Sequence, residues 1–373
     1  MTTGTVLVHP AATTVVARTA RPESLAAGRR KTGVIRADDV AAIVGSGVAG
    51  LAGAAVTFTW LTAASGPLAF VLVAYALFLA IYALVLSSAE PRPIVKDKVA
   101  TVAVHAAAFL VLSVLIFVIV YTVYKGRRAL VHANFYTKDL GLASALDPLT
   151  KGGMKHAMVG TLEQISIALC LVVPLGITGA VFLNEVPGRF SRTVRTIVEA
   201  MTALPSIVCG LFIYASLILA LGREKSGFCA ACAVSVEMLP LCIRAADVVL
   251  RLVPGSLKEA SYALGSSQWR TVWHVTLPTA RSGLMTAVIL ATARGIGETS
   301  PVLLTAGFTS SMNADAFSGP QVSLPLYVWN YVRYPHYQNG AMQNRAFGAA
   351  AVLMAMVLIL FVAARVAGGR PPG

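Results

Sequence analysis

Long apolar runs separated by short polar ones dominate this chain. A helix needs roughly 20 mostly apolar residues to cross about 30 Å of hydrocarbon. Eight stretches meet that length: Ala41 to Thr62, Pro67 to Leu86, Val99 to Tyr124, Val159 to Leu183, Ile197 to Leu221, Phe228 to Leu250, Leu284 to Gly307 and Phe347 to Ala367. A helix satisfies its own backbone polar groups in lipid, so the pattern predicts an all-α integral membrane fold. The composition agrees: 57% hydrophobic and 12% charged, against roughly 25% charged in a soluble domain.

Charge orients the spans. Residues 1–40 carry Arg18, Arg21, Arg29, Arg30, Lys31 and Arg36 without the architecture of a signal peptide, which predicts a flexible basic cytoplasmic tail. An even number of spans returns the C-terminal tail, 368–373, to the same side, so both termini are expected in the cytoplasm. Arg189, Arg192, Arg195 and the loop 251–283 then fall inside, as the positive-inside bias expects. One loop dissents: Lys125 to Lys155 falls outside yet holds Lys125, Arg127, Arg128, Lys138, Lys151 and Lys155. Either the local topology differs or an outward basic surface has a use, and the second is favoured because flipping this loop would also flip 251–283. The net charge of +14 points to lipid or an anionic ligand, since no nucleic-acid module is present.

Several motifs are excluded by context. Gly45-Ser-Gly47-Val-Ala-Gly50 spells a dinucleotide fingerprint but lacks the acidic residue about 20 positions on; small residues for close helix packing explain it. No Gly-x-x-x-x-Gly-Lys-Ser/Thr phosphate loop occurs, so any ATP-driven motor belongs to a partner. Cys170, Cys209, Cys229, Cys232 and Cys242 sit in apolar spans as packing residues, with Cys229 and Cys232 leaving a redox pair open and no metal site expected.

The segment after Pro254 reads as a helical pair lying across the membrane face. Ser256 and Glu259 have capping-box spacing, Gly265 can take the left-handed conformation that stops a helix, and Ser266 or Ser267 can cap a second helix running towards Pro278. Its faces offer Tyr262, Leu264, Trp269, Val272 and Trp273 beside Lys258, Arg270 and His274, a mixture suited to a partner's groove.

Charges also lie within the spans. Arg294 and Glu298 are spaced i,i+4 on one span, and Glu237, Arg244 and Asp247 sit on the preceding one. Such residues cost about 2.5–3.5 kcal/mol each at mid-membrane, so they face a pathway or one another. A guanidinium fork suits a tetrahedral oxyanion, and a carboxylate can accept a proton that phosphate carries and sulfate lacks. An internal network that only ties helices together remains the alternative.

The pattern Glu-Ala-Ala, three residues, Gly, nine residues, Ile-x-Leu-Pro marks permease subunits of ATP-binding-cassette importers. Here it stands as Glu259-Ala260-Ser261, Gly265 and Val275-x-Leu277-Pro278, with Ser261 and Val275 as conservative departures. With Ala203-Leu-Pro205, Leu239-Pro240, Arg294-Gly-Ile-Gly-Glu298-Thr299-Ser-Pro301 and Ser323-Leu-Pro325, the stretch Val99 to Ala367 resembles the PstA-type permease subunits of bacterial phosphate importers.

The resemblance implies a type I ABC importer permease domain, 99–367, with a core of six transmembrane helices. An extra accessory hairpin, 41–88, precedes it, giving eight spans. It implies phosphate import across the bacterial cytoplasmic membrane, with Arg244, Arg294 and Glu298 on the substrate pathway; Glu237 and Asp247 join them on chemistry alone. Glu259, Ala260, Gly265, Trp269, Trp273, Leu277 and Pro278 are expected to couple to a separate ATPase. The implied partners are a PstC-type homologous permease, an ATP-binding subunit dimer carrying ATP and Mg, an external phosphate-binding protein met in part by the loop Thr309 to Arg345, and membrane lipid. No cofactor is expected on this chain. A permease for molybdate or sulfate, or a proton-coupled carrier using Glu237 and Glu298, is the rival reading.

Overall fold

The computed structural model describes residues 37–61, 66–144, 147–333 and 340–367. The basic tail before Ala37, residues 62–65 of the expected hairpin, residues 334–339 of the loop Thr309 to Arg345 and the segment 368–373 lie outside the described residues. The chain divides into two compact units at Leu112.

The first unit contains α1 (Ala37–Val56), which runs on as a π-helical turn to Leu61, α2 (Pro67–Ser87), and the first half of α3 (Arg92–Leu130). The Gly-x-Gly-x-x-Gly run lies wholly within α1, which rules out a strand and phosphate turn there. Gly50 is the member that matters: a Cβ on it would meet the Phe78 backbone nitrogen at 2.8 Å, so its bareness lets α1 and α2 touch. Below that contact Tyr82, Leu86 and Val95 are buried together. Lys98 Nζ ties the unit by donating to Asp39 at 2.7 Å and to Glu90 at 2.8 Å.

The second unit begins inside α3 and continues through α4 (Ala133–Thr137), α5 (Lys155–Glu185), α6 (Arg189–Thr202), α7 (Ser206–Ile213, extended by a π-helical stretch to Ala220) and α8 (Gly227–Arg251). Then come α9 (Gly255–Ala263), α10 (Gln268–Thr271), α11 (Leu277–Ile296), α12 (Ser300–Thr305), α13 (Leu324–Arg333) and α14 (Gly340–Ala367). Its core is built where α5, α8, α13 and α14 meet, around Ala168, Val172, Met238, Cys242, Leu326, Tyr327 and Ala346. Residues 109–120 of α3 present apolar side chains outward nearly all round, the surface of a helix meant for lipid or another membrane chain.

Two predicted spans are not single helices. In place of Ile197 to Leu221, α6 and α7 meet at a bend of 105°. Leu204-Pro205 causes it: proline lacks the amide the helix would need and pushes the preceding residue out of helical geometry. α6 instead alternates Arg189, Arg192, Arg195 and Glu199 with Phe190, Val194 and Val198, an amphipathic elbow. In place of Leu284 to Gly307, α11 stops at Ile296 and α12 starts at Ser300-Pro301, with Gly297-Glu298-Thr299 between them. Proline is tolerated in the first turn of the new helix, where its missing amide costs nothing. The loop Thr309 to Arg345 also holds an unforeseen helix, α13.

α5, 31 residues long and so about 46 Å from end to end, separates the two polar ends of this unit. At its C-terminus Glu185 receives Lys258 at 2.6 Å and, through its carbonyl, Gln268 at 2.8 Å. At its N-terminus the amides of Met154 and Lys155 bond the Phe135 and Lys138 carbonyls, and Leu140 bonds Ser310. The dissenting basic loop therefore lies at the end opposite 251–283.

Close approach of α3 to α14 gives a stability test. A Cβ on Gly126 would meet the Gly348 backbone nitrogen at 2.6 Å. Gly126→Leu should destabilise the protein by about 1–3 kcal/mol, read as a lower thermal midpoint in detergent; Ala at the more open Gly340, where nothing lies within 4 Å, should leave it unchanged.

Candidate functional site

α8 and α11 run side by side and bring together charges 57 positions apart. Arg294 Nη2 donates to Glu237 Oε1 at 2.7 Å, and Glu298 Oε1 lies 3.8 Å from the same nitrogen. The two carboxylates are 8% and 17% exposed while Arg294 is 56% exposed, so its guanidinium looks away from this chain's own core. Glu237 Oε2 is buried without a hydrogen-bond partner among the described residues. One cation faces two carboxylates, which leaves the cluster with surplus negative charge unless a proton resides there.

Arg244 lies two turns below Glu237 on α8, exposed on the same stripe, and reaches Thr202 Oγ1 of the elbow at 3.4 Å. Asp247 sits beside Arg244 with ion-pair partners that the sequence did not suggest. It is 8% exposed and accepts from Arg195 of α6 at 2.8 Å and from Arg251 at 3.0 Å. Three residues apart on α8, Arg244 and Asp247 are neighbours on the side against which α6 packs, and there Asp247 pins the elbow to α8 through Arg195. Leu183, Arg195, Glu199, Arg244, Asp247 and Arg251 line a pocket of about 190 Å³ there, so Glu199 belongs to this second cluster.

The helical pair at 255–271 forms with one correction. α9 starts at Gly255, Pro254 is the cap residue and no side-chain cap bond is made, so the expected Ser256–Glu259 box is absent. Its end follows the sequence: Gly265 has φ +78°, its amide bonds the Tyr262 carbonyl at 2.9 Å, and the Ser266 amide bonds Ser261 at 3.1 Å. These are the paired bonds of a Schellman stop. Ser267, rather than Ser266, caps α10 by accepting from the Arg270 amide. Ser261 and Thr271 hydroxyls, 2.8 Å apart, close the turn.

The second helix does not end before Pro278. From α10 a π-helical turn over Val272–Thr276 passes directly into α11, where Pro278 occupies the first turn. Trp269 and Trp273 stack edge to face at 5.7 Å and are 68% and 52% exposed. They share an apolar groove of about 340 Å³ with Phe182, Val181 and Leu277, so they look sideways along the end of α5. Leu264, 87% exposed, stands at the tip of the turn. Glu259 and Ala260 are exposed on α9.

Sequence reasoning missed Arg195, Thr202 and the Glu185–Lys258–Gln268 strap. The signal for the first two was Pro205 inside an otherwise apolar run, preceded by a basic i,i+3,i+6 series. The cysteines at 170, 209, 229, 232 and 242 are all free.

Residues 172–367 match the family described as binding-protein-dependent transport system inner membrane component. The phosphate transport system permease protein PstA 1 of Mycobacterium tuberculosis is 36% identical over 277 residues, covering 73% of this chain and 90% of that protein. PstA of Pasteurella multocida is 31% identical over 274 residues, covering 73% and 94%. Among solved structures, an inward-facing form of the MetNI methionine ABC transporter matches 58% of this chain and 95% of that one, at 20% identity and TM-score 0.45.

Gly265 meets nothing within 4 Å of an added Cβ, so only its backbone resists substitution. Gly265→Ala should cost about 1–2 kcal/mol and speed amide exchange at Ser266 and Arg270, whereas Gly265→Asn, which tolerates the left-handed conformation, should cost distinctly less.

Proposed function

The chain belongs to the binding-protein-dependent transport inner membrane component family, and from that membership we propose that it is the PstA-type permease subunit of an ATP-driven phosphate importer. The observation that carries the reading is Arg294: a guanidinium more than half exposed beside Glu237, the middle of a membrane helix. A charge at that depth is not left facing lipid, so the exposed side belongs to a second permease chain and a polar route between the two. The PstA names of relatives at 31–36% identity supply the ion.

The local chemistry favours phosphate over an anion without protons. A bare anion gains little from one guanidinium held by two carboxylates. Phosphate as its monoanion or dianion brings a proton, which the unpartnered Glu237 Oε2 can accept while Arg294 takes a phosphoryl oxygen. Arg244, two turns towards the docking end, offers the next charge along the stripe. The site is weak by design, because a tight one would hold the ion in transit; strong binding belongs to an external phosphate-binding protein.

The remaining parts follow. A PstC-type permease covers the Arg244 and Arg294 face. A dimer of ATP-binding subunits, holding ATP and Mg, docks on α9 and α10, where Glu259, Ala260 and Gly265 shape the turn and Leu264 is its exposed apolar tip. That end is cytoplasmic, as are both termini, and the loop carrying α13 faces the binding protein outside. Closure of the ATPase dimer moves the docking pair, and α10 passes the movement straight into α11 and the cluster. Trp269, Trp273, Leu277 and Pro278 act at that junction.

Proteoliposomes holding the chain with its partners should take up labelled phosphate only with internal ATP, unsuppressed by sulfate or molybdate; uptake driven by a pH gradient alone would instead favour a secondary carrier. Arg294→Gln should abolish uptake and also strand the buried Glu237, costing about 3–5 kcal/mol. The double variant Arg294→Gln with Glu237→Gln should recover the melting temperature without recovering uptake. If uptake returns with stability, the charges only tie helices together.

A further inference from the structure

The cations at the end opposite the docking helices do two different things. Arg127 stacks over Tyr124 at 4.2 Å and Lys125 approaches Tyr121 at 5.8 Å, so both are engaged by rings on α3. Lys138, Lys151 and Lys155 instead line one cavity of about 530 Å³ with Thr137, Asp139, Thr150 and Gly152, walled by Leu142, Ala143 and Met312. None of the three forms an ion pair among the described residues. The one carboxylate in the lining, Asp139, is already occupied: Oδ2 accepts from the Met312 amide at 2.8 Å and Oδ1 from the Gly141 amide at 3.4 Å.

The loop that presents these lysines is held rigidly. Arg345, 1% exposed, donates to the carbonyls of Lys151 at 2.6 Å, Pro148 at 3.0 Å and Ser144 at 3.4 Å. Asn134 donates to the Gly152 and Leu149 carbonyls at 2.7 and 2.9 Å. Gly153 and Lys155 amides bond the Asp139 and Lys138 carbonyls, each at 3.1 Å, and so fix the two sides of the cavity together. A buried arginine used on backbone oxygens and three lysines facing a single carboxylate, Asp139, make a preformed concave site with surplus positive charge. Such a cluster on a non-cytoplasmic face runs against the usual charge bias, which requires a reason.

We propose that Lys138, Lys151 and Lys155 form a binding site for a free tetrahedral oxyanion, a vestibule at the outer mouth of the permease. The proposal rests on the importer reading for its ligand and for calling this end external. The lysines are compact point charges on flexible stems, which take an oxyanion without a fixed geometry and release it readily. Their attraction concentrates anions at the mouth and fades with added salt.

The test is lysine acetylation of the complete reconstituted complex in neutral phosphatidylcholine nanodiscs, followed peptide by peptide by mass spectrometry. Inorganic phosphate should slow modification of Lys138, Lys151 and Lys155, but not of Lys125, relative to chloride at equal ionic strength. Lys151→Gln should raise the phosphate needed to half-protect Lys138 and Lys155 about tenfold, the loss of one close charge contact, while Lys151→Arg should preserve protection. Equal rates in phosphate and chloride would overturn the proposal. So would protection that needs the external binding protein and not phosphate, which would assign the lysines to an acidic protein surface. Protection by phosphate in a complex that shows no ATP-driven uptake would leave the vestibule standing and remove the importer reading instead.

Discussion

Arg294 and Glu237 join two helices at a depth where neither charge could stand alone. Bare in hydrocarbon, each would cost a few kcal/mol; paired at 2.7 Å, they fix the register of α11 against α8. The break after Ile296 depends on that register, because Gly297-Glu298-Thr299 lets the chain turn so that Glu298 reaches the same guanidinium. The amphipathic elbow is set by an analogous pairing lower down, Arg195 with Asp247. Two ion pairs across one helix, α8, thus organise the polar interior of an otherwise apolar bundle.

Much of this was legible in the sequence. The apolar runs gave the all-α membrane fold, and the spacing Glu259, Gly265, Leu277-Pro278 identified the helical pair and its left-handed stop. Arg294 and Glu298, four residues apart, were expected on one helix face and do come together, but Glu298 reaches the guanidinium from the break after Ile296 and not from the helix. What failed was direction: hydropathy summed over a window cannot distinguish a span from an elbow followed by a short rising helix, although Pro205 marked the place. Chain spacing placed Asp247 near Arg244 but could not reveal its partner Arg195 on α6, fifty-two positions away. The capping box at Ser256 failed because Pro254, with its fixed backbone, starts the helix two residues earlier.

The two ends of the second unit differ in how they are built. The docking end is open and aromatic, held to α5 through the Glu185 strap, and its second helix is continuous with α11. The opposite end is knitted by backbone bonds and a buried arginine. In the proposed importer the first end would be gripped and moved by the ATPase, while the second is tied to keep its shape. The first unit, with Lys98 shared between Asp39 and Glu90, is held by its own contacts.

The exposed face of Arg294 bears on the life of the protein before assembly. A newly inserted subunit without its partner chain presents that guanidinium, and Arg244 below it, to lipid. If these charges serve an assembled complex as proposed, the unassembled chain carries a desolvation penalty in lipid that pairing would remove. On the proposed reading, the same residues that would line the route also make the lone chain costly to leave unassembled.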